Sequence, residues 1–216
     1  AETGEVFGDE THIIYVNGKY RGDTPIGHLM KDFHCTNSVD MYYNELKGSM
    51  KYFKKIVGKK VYLSPINTDD YLRYVEMLNN FEIAKGVNQY VKMVTINGEM
   101  EWLEKAVNEK YNFAIVCMEN DTLLGNISLM NVNNIDGTAE LGIFIGDENY
   151  LSKGYGSEAI MLLLNYAFMQ INLNNIMLKV FSFNKRAIKA YEKCGFKKVG
   201  TNFMYEHHYY LYEFVF

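Results

Sequence analysis

The stretch from Ala139 to Phe181 constrains the fold more than any other. Ala139 to Ile145 is an apolar strand. Gly154 to Met169 is a long amphipathic helix with Ala159, Leu162, Leu163, Tyr166 and Ala167 on one side, and Ile176 to Phe181 is a strand again. Strand, helix and strand in that order make a βαβ crossover, whose two strands lie parallel in one sheet. The flanking segments read as hairpins instead. Phe113 to Met118 passes through Glu119-Asn120-Asp121 into Leu123 to Met130, and Asp136-Gly137 is a strong turn signal ahead of Ala139. One crossover among hairpins predicts an α+β fold: a mixed, partly parallel central sheet flanked by helices.

From Val61 onward the expected order is β-α-α-β-β-β-α-β-α-β-β. Val61-Tyr62-Leu63 is a strand, Thr68-Asp69-Asp70 starts a helix through Leu78, and a second helical stretch covers Met100 to Asn108. After the crossover come a helix over Lys185–Lys193, a strand over Phe196–Val199 and a last strand from Tyr205 to Phe216. Upstream, residues 11–17 read as a strand. Thr24-Pro25 reads as an N-cap followed by proline at the first helical position. A short helix over Ile26–His34 follows. A second helix follows Asn37 or Ser38, with Met41, Tyr42, Leu46, Met50 and Phe53 at helical spacing. Gly58-Lys59-Lys60 marks the boundary. Residues 1–57 then form a small strand-helix-helix appendage, and 58–216 the main domain.

Composition excludes several classes. With 48% hydrophobic and 22% charged residues among 216, the chain is globular rather than disordered. A net charge of −4 is the wrong sign for a protein whose main task is neutralising phosphates, so nucleic acid is not an expected partner. Every apolar run is interrupted well short of the roughly 18 residues that a membrane span needs. Ala-Glu-Thr-Gly-Glu has neither the basic nor the apolar region of a secretory signal, so a cytoplasmic location is expected. Cys35, Cys117 and Cys194 are odd in number and far apart, which reads as reduced thiols. His207 and His208 are adjacent on a strand and point to opposite faces, so no metal site is expected there.

The chemistry concentrates between strand and helix. Leu151-Ser152-Lys153-Gly154-Tyr155-Gly156-Ser157 is a glycine-rich loop opening a helix. The first turn of a helix offers unpaired N–H groups and the positive end of the dipole, an anion site for phosphate or pyrophosphate. Gly154 and Gly156 let the anion approach the backbone, and Lys153 adds charge. The loop is neither a Walker loop nor the dinucleotide fingerprint, since the required residues are absent. A plain strand-to-helix turn remains the alternative.

Two blocks carry a family resemblance. Leu151-Ser-Lys-Gly154-Tyr-Gly156 is similar to [RQ]-x-x-G-x-[GA], with Leu151 at the Arg/Gln position. Asn184-Lys-Arg-Ala187-Ile-Lys-Ala-Tyr191-Glu-Lys-Cys-Gly195-Phe196 matches N-x-x-A-x-x-x-Y-x-x-x-G-F at every marked position. The chain over about residues 59–216 thus resembles the GCN5-related N-acetyltransferase superfamily. It looks most like the branch of ribosomal-protein, spermidine and nucleotide-amino-sugar acetyltransferases. The resemblance implies acetyl-CoA as co-substrate, no metal, and direct transfer of acetyl to a primary amine in a ternary complex. The acceptor would be a small molecule such as a polyamine or amino-sugar nucleotide, or a peptide such as a protein N-terminus. It implies that Ser152, Lys153, Gly154, Tyr155, Gly156 and Ser157 hold the pyrophosphate. It also implies that N–H groups around Phe144–Ile145 polarise the thioester where two parallel strands splay. Asn184 and Ala187 would hold the pantetheine arm, and Tyr191 would protonate the leaving thiolate.

Each role has a plainer counterpart. Tyr191 also fits a core aromatic, and Asn184 a helix N-cap. Glu140 shares one strand face with Gly142 and Phe144, opposite Leu141, Ile143 and Ile145. It is the candidate base or water-ordering group, or one half of a structural salt bridge. Asp147, Glu148 and Tyr150 fit either an acceptor entrance or a solvated turn. Asp9 to Gly18 and Asp23 to Asn37 resemble the C-terminal part of an Rpn/PD-(D/E)xK nuclease-like transposase family. Glu45-Leu46-Lys47 spells E-x-K on a helical pattern rather than on a strand, so no nuclease chemistry is expected. That piece would pack on the main domain or mediate pairing, a homodimer included. The second overall reading is a catalytically weak acyl-CoA-fold binding module fused to a nuclease-family remnant.

Overall fold

In the computed structural model, residues 4–6, 12–14, 23–24, 28, 55–87, 93–204 and 207–216 are described. The chain divides into two compact units, Ala1–Lys54 and Lys55–Phe216. In the first, β1 (Gly4–Val6) pairs antiparallel with β2 (His12–Ile14), inside the strand expected over 11–17. The N–H of His28 donates to the Thr24 carbonyl at 2.9 Å, an i to i−4 bond after the expected cap, and Asp23 accepts from the His28 ring at 2.8 Å. The remainder of the two helices expected over 26–53, and Glu45 to Lys47, lie outside the described residues.

The second unit is built on an eight-stranded sheet. Its strands are β3 (Ile56–Val57), β4 (Val61–Pro65), β5 (Asn112–Cys117), β6 (Leu123–Asn133), β7 (Thr138–Ile145), β8 (Asn175–Phe181), β9 (Lys197–Met204) and β10 (His207–Val215), in the spatial order β3-β4-β5-β6-β7-β8-β10-β9. Its helices are α1 (Tyr71–Leu78), α2 (Phe81–Val87), α3 (Ile96–Ala106), α4 (Tyr155–Ile171) and α5 (Lys185–Lys193). Neighbouring strands are antiparallel except β7 and β8, which α4 connects in parallel. The α+β sheet read from the crossover is therefore present. The sequence did not announce β3 and α2. Ile56 and Val57 pair with Leu63 and Tyr62, within the compact unit Lys55–Phe216.

Strand alternation sorts the core onto two faces. Val61, Leu63, Ile115, Cys117, Leu141 and Leu178 pack with α4 residues Ala159, Ile160, Leu163 and Leu164. Tyr62, Ala114, Val116 and Phe144 pack with Tyr74, Met77, Ile83 and Leu103 from α1, α2 and α3. Burying one Leu or Ile contributes about 1.5–3 kcal/mol. Three such residues on α4 outweigh the ~0.5–2 kcal/mol that a side-chain N-cap supplies. α4 accordingly starts at Gly154 with no side-chain cap, and its first amides are left free.

α3 begins at Ile96, four residues earlier than its sequence pattern suggests, because the Thr95 hydroxyl caps it by accepting from the Gly98 N–H at 3.1 Å. Gly58 to Lys60, expected as a boundary, is instead a docking turn. Glu158 Oε1 accepts from the N–H groups of Lys59, Lys60 and Val61 at 2.5, 2.7 and 3.4 Å. A Cβ on Gly58 would stand 2.3 Å from that oxygen, so only glycine allows this approach.

Candidate active site

β7 and β8 pair only at Thr138–Asn175, Ala139–Ile176 and Glu140–Met177; beyond Glu140 they part. A cleft of about 1240 Å³ runs through the opening, lined by residues from α1 to α5 and β5 to β8. Pockets for a single small ligand usually measure about 300–1,000 Å³, so this one is larger than a site for one small molecule requires. The N–H of Gly146 donates to the Leu124 carbonyl at 2.8 Å. Alternation along β7 then turns the amides of Phe144 and Gly142 toward β6, and those of Ile143 and Ile145 toward the opening. Of the pair expected to polarise a carbonyl, the Ile145 amide faces the cleft, while Phe144 contributes a buried side chain on the α1–α3 face.

One end of the cleft is the glycine loop. Ser152 (φ 59°) and Gly154 (φ 90°) take left-handed conformations that wrap the backbone around the start of α4. The amides of Tyr155, Gly156 and Ser157 open the helix and lack intrahelical acceptors. Ser152, Gly154, Gly156 and Ser157 line the cleft. The one acidic side chain of that first turn, Glu158, is engaged with the 59–61 amides and does not oppose an anion. Lys60, which sequence reading passed over, donates from Nζ to the Lys153 carbonyl at 2.8 Å. The same Nζ stands 3.7 Å from where a Gly154 Cβ would be. Leu151 packs against the apolar cluster of Tyr62, Tyr74 and Phe144, which explains an apolar side chain at a position that is polar in the motif. Free amides, a glycine turn and a fixed cation fit a pyrophosphate.

α5 forms the adjoining wall. Asn184 caps it, its Oδ1 accepting from the Ala187 N–H at 3.1 Å while Nδ2 lies 3.5 Å from the Gly86 carbonyl of α2. The plain capping role is therefore occupied, and both Asn184 and Ala187 also line the cleft. Tyr191 lines it too, although the residue is only 7% exposed. Burial, with the Cys194 thiol as a lesser influence, pushes its phenol up to about 12, so it stays protonated throughout the neutral range. Cys194 donates to the Ser157 carbonyl at 3.5 Å and joins α5 to the loop.

The opposite end is made of side chains from distant parts of the chain. Glu140, on the last paired rung, accepts at 3.1 Å from the Nζ of Lys179, two residues beyond that rung on β8. Glu109 accepts from Asn112 Nδ2 at 3.1 Å, and Asn112 Oδ1 accepts from Asn126 at 3.3 Å. Glu99 on α3 is 3% exposed, and its Oε1 is buried with no hydrogen-bond partner. Burial raises its carboxyl above the ordinary carboxylate range. Tyr74 and Trp102 meet edge to face beside it, with centroids 6.0 Å apart. Glu99 escaped sequence reading, yet Glu99, Leu103 and Ala106 recur at i, i+4 and i+7 on the buried face of α3, and that periodicity was the available signal. Asp147 and Glu148 are tied to other groups instead: Asp147 to Arg73 at 2.5 Å and Glu148 to Asn80 at 2.6 Å.

Among the described residues no helix is long and apolar enough to cross a membrane, and no cluster of three His, Cys, Asp or Glu forms a metal site. The profile described as an acetyltransferase (GNAT) domain matches residues 60–197. The N-acetyltransferase p20 of Bacillus licheniformis is 35% identical over 94 residues, 44% of this chain and about half (52%) of its own length. A GNAT-family acetyltransferase from Bacillus anthracis superposes with a TM-score of 0.67 at 20% identity, covering 74% of this chain and 98% of its own. Spermidine N-acetyltransferase from Vibrio cholerae, solved with CoA and spermine, superposes with a TM-score of 0.63 at 23% identity, covering 73% and 96%.

Proposed function

Because the chain belongs to the GNAT acetyltransferase family, we propose that its cleft transfers the acetyl group of acetyl-CoA to a primary amine seated at the α3 end. The observation that carries this reading is the parting of β7 from β8 after Glu140, directly beside the glycine loop that opens α4. Acetyl-CoA, when bound, supplies the thioester whose acetyl group is transferred. The amides of residues 152–157 hold its pyrophosphate, with Lys60 providing the charge that Leu151 does not. The Ile145 N–H, left without a strand partner, donates to the thioester oxygen as negative charge grows there.

Tyr191 holds its proton at neutral pH and gives it to the departing thiolate. Glu140, fixed by Lys179, takes the proton that the attacking nitrogen sheds, through water. No cysteine nucleophile is required: Cys117 and Cys194 are both buried in the core. All of these residues lie from Lys60 onward. The acceptor is a polyamine, a protein N-terminus or an amino-sugar nucleotide.

The test is thiol release from acetyl-CoA by the purified protein across a panel of these amines, with product mass measured. Amine-dependent thiol release with a matching N-acetylated product is expected. A protein that binds CoA in calorimetry yet acetylates none of the three classes is a binding module, and the transferase reading fails.

A further inference from the structure

The lining of the cleft is electrically divided. On the α5 side stand Lys185, Arg186, Lys189 and Lys193; on the α3 side stand Glu99 and Glu109. Glu140 and Lys179, also in the lining, cancel as an ion pair. A basic wall suits a phosphorylated co-substrate. The acidic end has no such account, and Glu99 is its sharpest feature. A carboxylate withdrawn from water is costly unless a counter-charge or hydrogen bonds satisfy it, and Glu99 Oε1 has neither. Its surroundings are aromatic: Tyr74 is buried, and Trp102 is half-exposed at the cleft wall. The π-faces of such rings attract a cation. A carboxylate flanked by aromatic rings, in a wall with a second carboxylate, is the chemistry that recognises an alkylammonium.

Resting on the transferase reading above, we infer that the α3 end of the cleft is a cation site. Glu99, with the Tyr74 and Trp102 rings beside it, holds a fixed ammonium on the acceptor remote from the nitrogen that is acetylated. The acceptor is therefore an alkyl diamine or polyamine. The same charges weigh against the other two classes. A nucleotide sugar would bring phosphates toward Glu99 and Glu109. A protein N-terminus carries no second cation at a set distance from its α-amine. Reacting one end of a diamine leaves the other end protonated, because the two nitrogens titrate separately. The amine that attacks is neutral while its partner stays charged and anchored.

The experiment compares wild type and Glu99→Gln, which keeps the shape and removes the charge. Thiol release at saturating acetyl-CoA is measured with 1,4-diaminobutane, spermidine and n-butylamine. Spermidine is also titrated calorimetrically into each protein in the presence of CoA. Wild type should prefer the diamine and spermidine over butylamine by about tenfold or more in kcat/KM, the scale of one good charge pair. Glu99→Gln should raise KM for both by about 10–100-fold, with a much smaller loss for butylamine. Spermidine affinity should fall by a similar factor, and CoA affinity should stay within about twofold. Butylamine used as well as the diamine by wild type overturns the proposal. So does a Glu99→Gln loss that falls equally on all three amines and on CoA, the mark of a merely structural residue. If no amine releases thiol, the transferase reading fails and calorimetry decides the cation site separately. Spermidine bound by wild type and lost in Glu99→Gln supports it; spermidine not bound by wild type refutes it.

Discussion

The two ends of the cleft are built in opposite ways. The loop end comes from one continuous stretch, Leu151 to Ser157, and its working groups are mainly backbone amides exposed because Gly154 starts a helix without a side-chain cap. The α3 end gathers Glu99, Trp102, Asn112, Asn126 and Glu140 from four separate elements, and its working groups are side chains. An amide cradle depends on chain path, so it tolerates changes of side chain such as Leu151. A side-chain wall depends on identity, so single substitutions retune it. The loop end is thus suited to a constant co-substrate, and the α3 end to whichever acceptor this chain selects.

Tyr191 stands on the α5 wall as the proposed acid, and its loss should be the largest single effect. With Tyr191 in that role, Tyr191→Phe removes an interaction that develops only in the transition state, so kcat should fall by about 10²–10⁴-fold with little change in KM for acetyl-CoA. A Phe variant with wild-type turnover and an unaltered melting temperature would make Tyr191 packing only. Next is the amide cradle. Gly154 sits at φ 90°, where any side chain strains the turn, so Gly156 is the cleaner position. A Cβ there would meet Ile145 Cγ1 at 3.5 Å, an ordinary contact, and the two further methyls of valine add bulk between the helix start and the parted strand. Displacing the loop amides in this way should weaken CoA by about 10–100-fold, roughly 1.4–2.8 kcal/mol of binding; the melting temperature reads separately what the added bulk costs the fold, about 1–3 kcal/mol.

Lys60→Met tests whether a side chain helps the amide end at all. A cation near a helix N-terminal anion site should be worth about three- to tenfold in CoA affinity, and the difference should shrink at high salt. No change at low salt would leave the cradle purely backbone.

The smallest effect concerns stability. Burial raises the Glu99 carboxyl, so the folded chain binds that proton more tightly than the unfolded chain. Stability from this group is complete below the ordinary carboxylate pKa near ~4.3. It is lost as pH rises through the raised folded value. Glu99→Gln cannot ionise and should melt higher than wild type at neutral pH, by about 1 kcal/mol. The gap should close toward acid pH. A variant less stable than wild type at neutral pH would mean that the carboxylate is satisfied in the folded chain.

The same division explains what could be read from the sequence. β7, α4 and β8 were legible because each is a local pattern of apolar period and glycine punctuation. The loop and the α5 block were legible because their residues recur at fixed spacing within one turn or helix, and Gly154, Gly156, Asn184, Ala187 and Tyr191 line one cleft. Glu99 was not, since an acidic residue near a helix start is ordinarily a solvated end, and only its 3% exposure reveals otherwise. Lys60 was not, because it reaches the loop from 93 residues away in sequence. Asn184 caps α5 through Oδ1 and also lines the cleft, so the capping role is observed beside the proposed one. Glu140 acquired its ion pair from a residue on the neighbouring parallel strand, a contact that the crossover alone creates. The start of α3 was misplaced because Asn97-Gly98 reads as a turn, while the Thr95 cap absorbs both residues into the helix.

Calorimetric titration of CoA into wild type, Gly156→Val and Glu99→Gln tests the division most directly. The account predicts tight binding to wild type and to Glu99→Gln, within about twofold of each other, and a loss of about 10–100-fold in Gly156→Val. Gly156→Val binding CoA as wild type does, or Glu99→Gln losing CoA as severely as Gly156→Val, would contradict it.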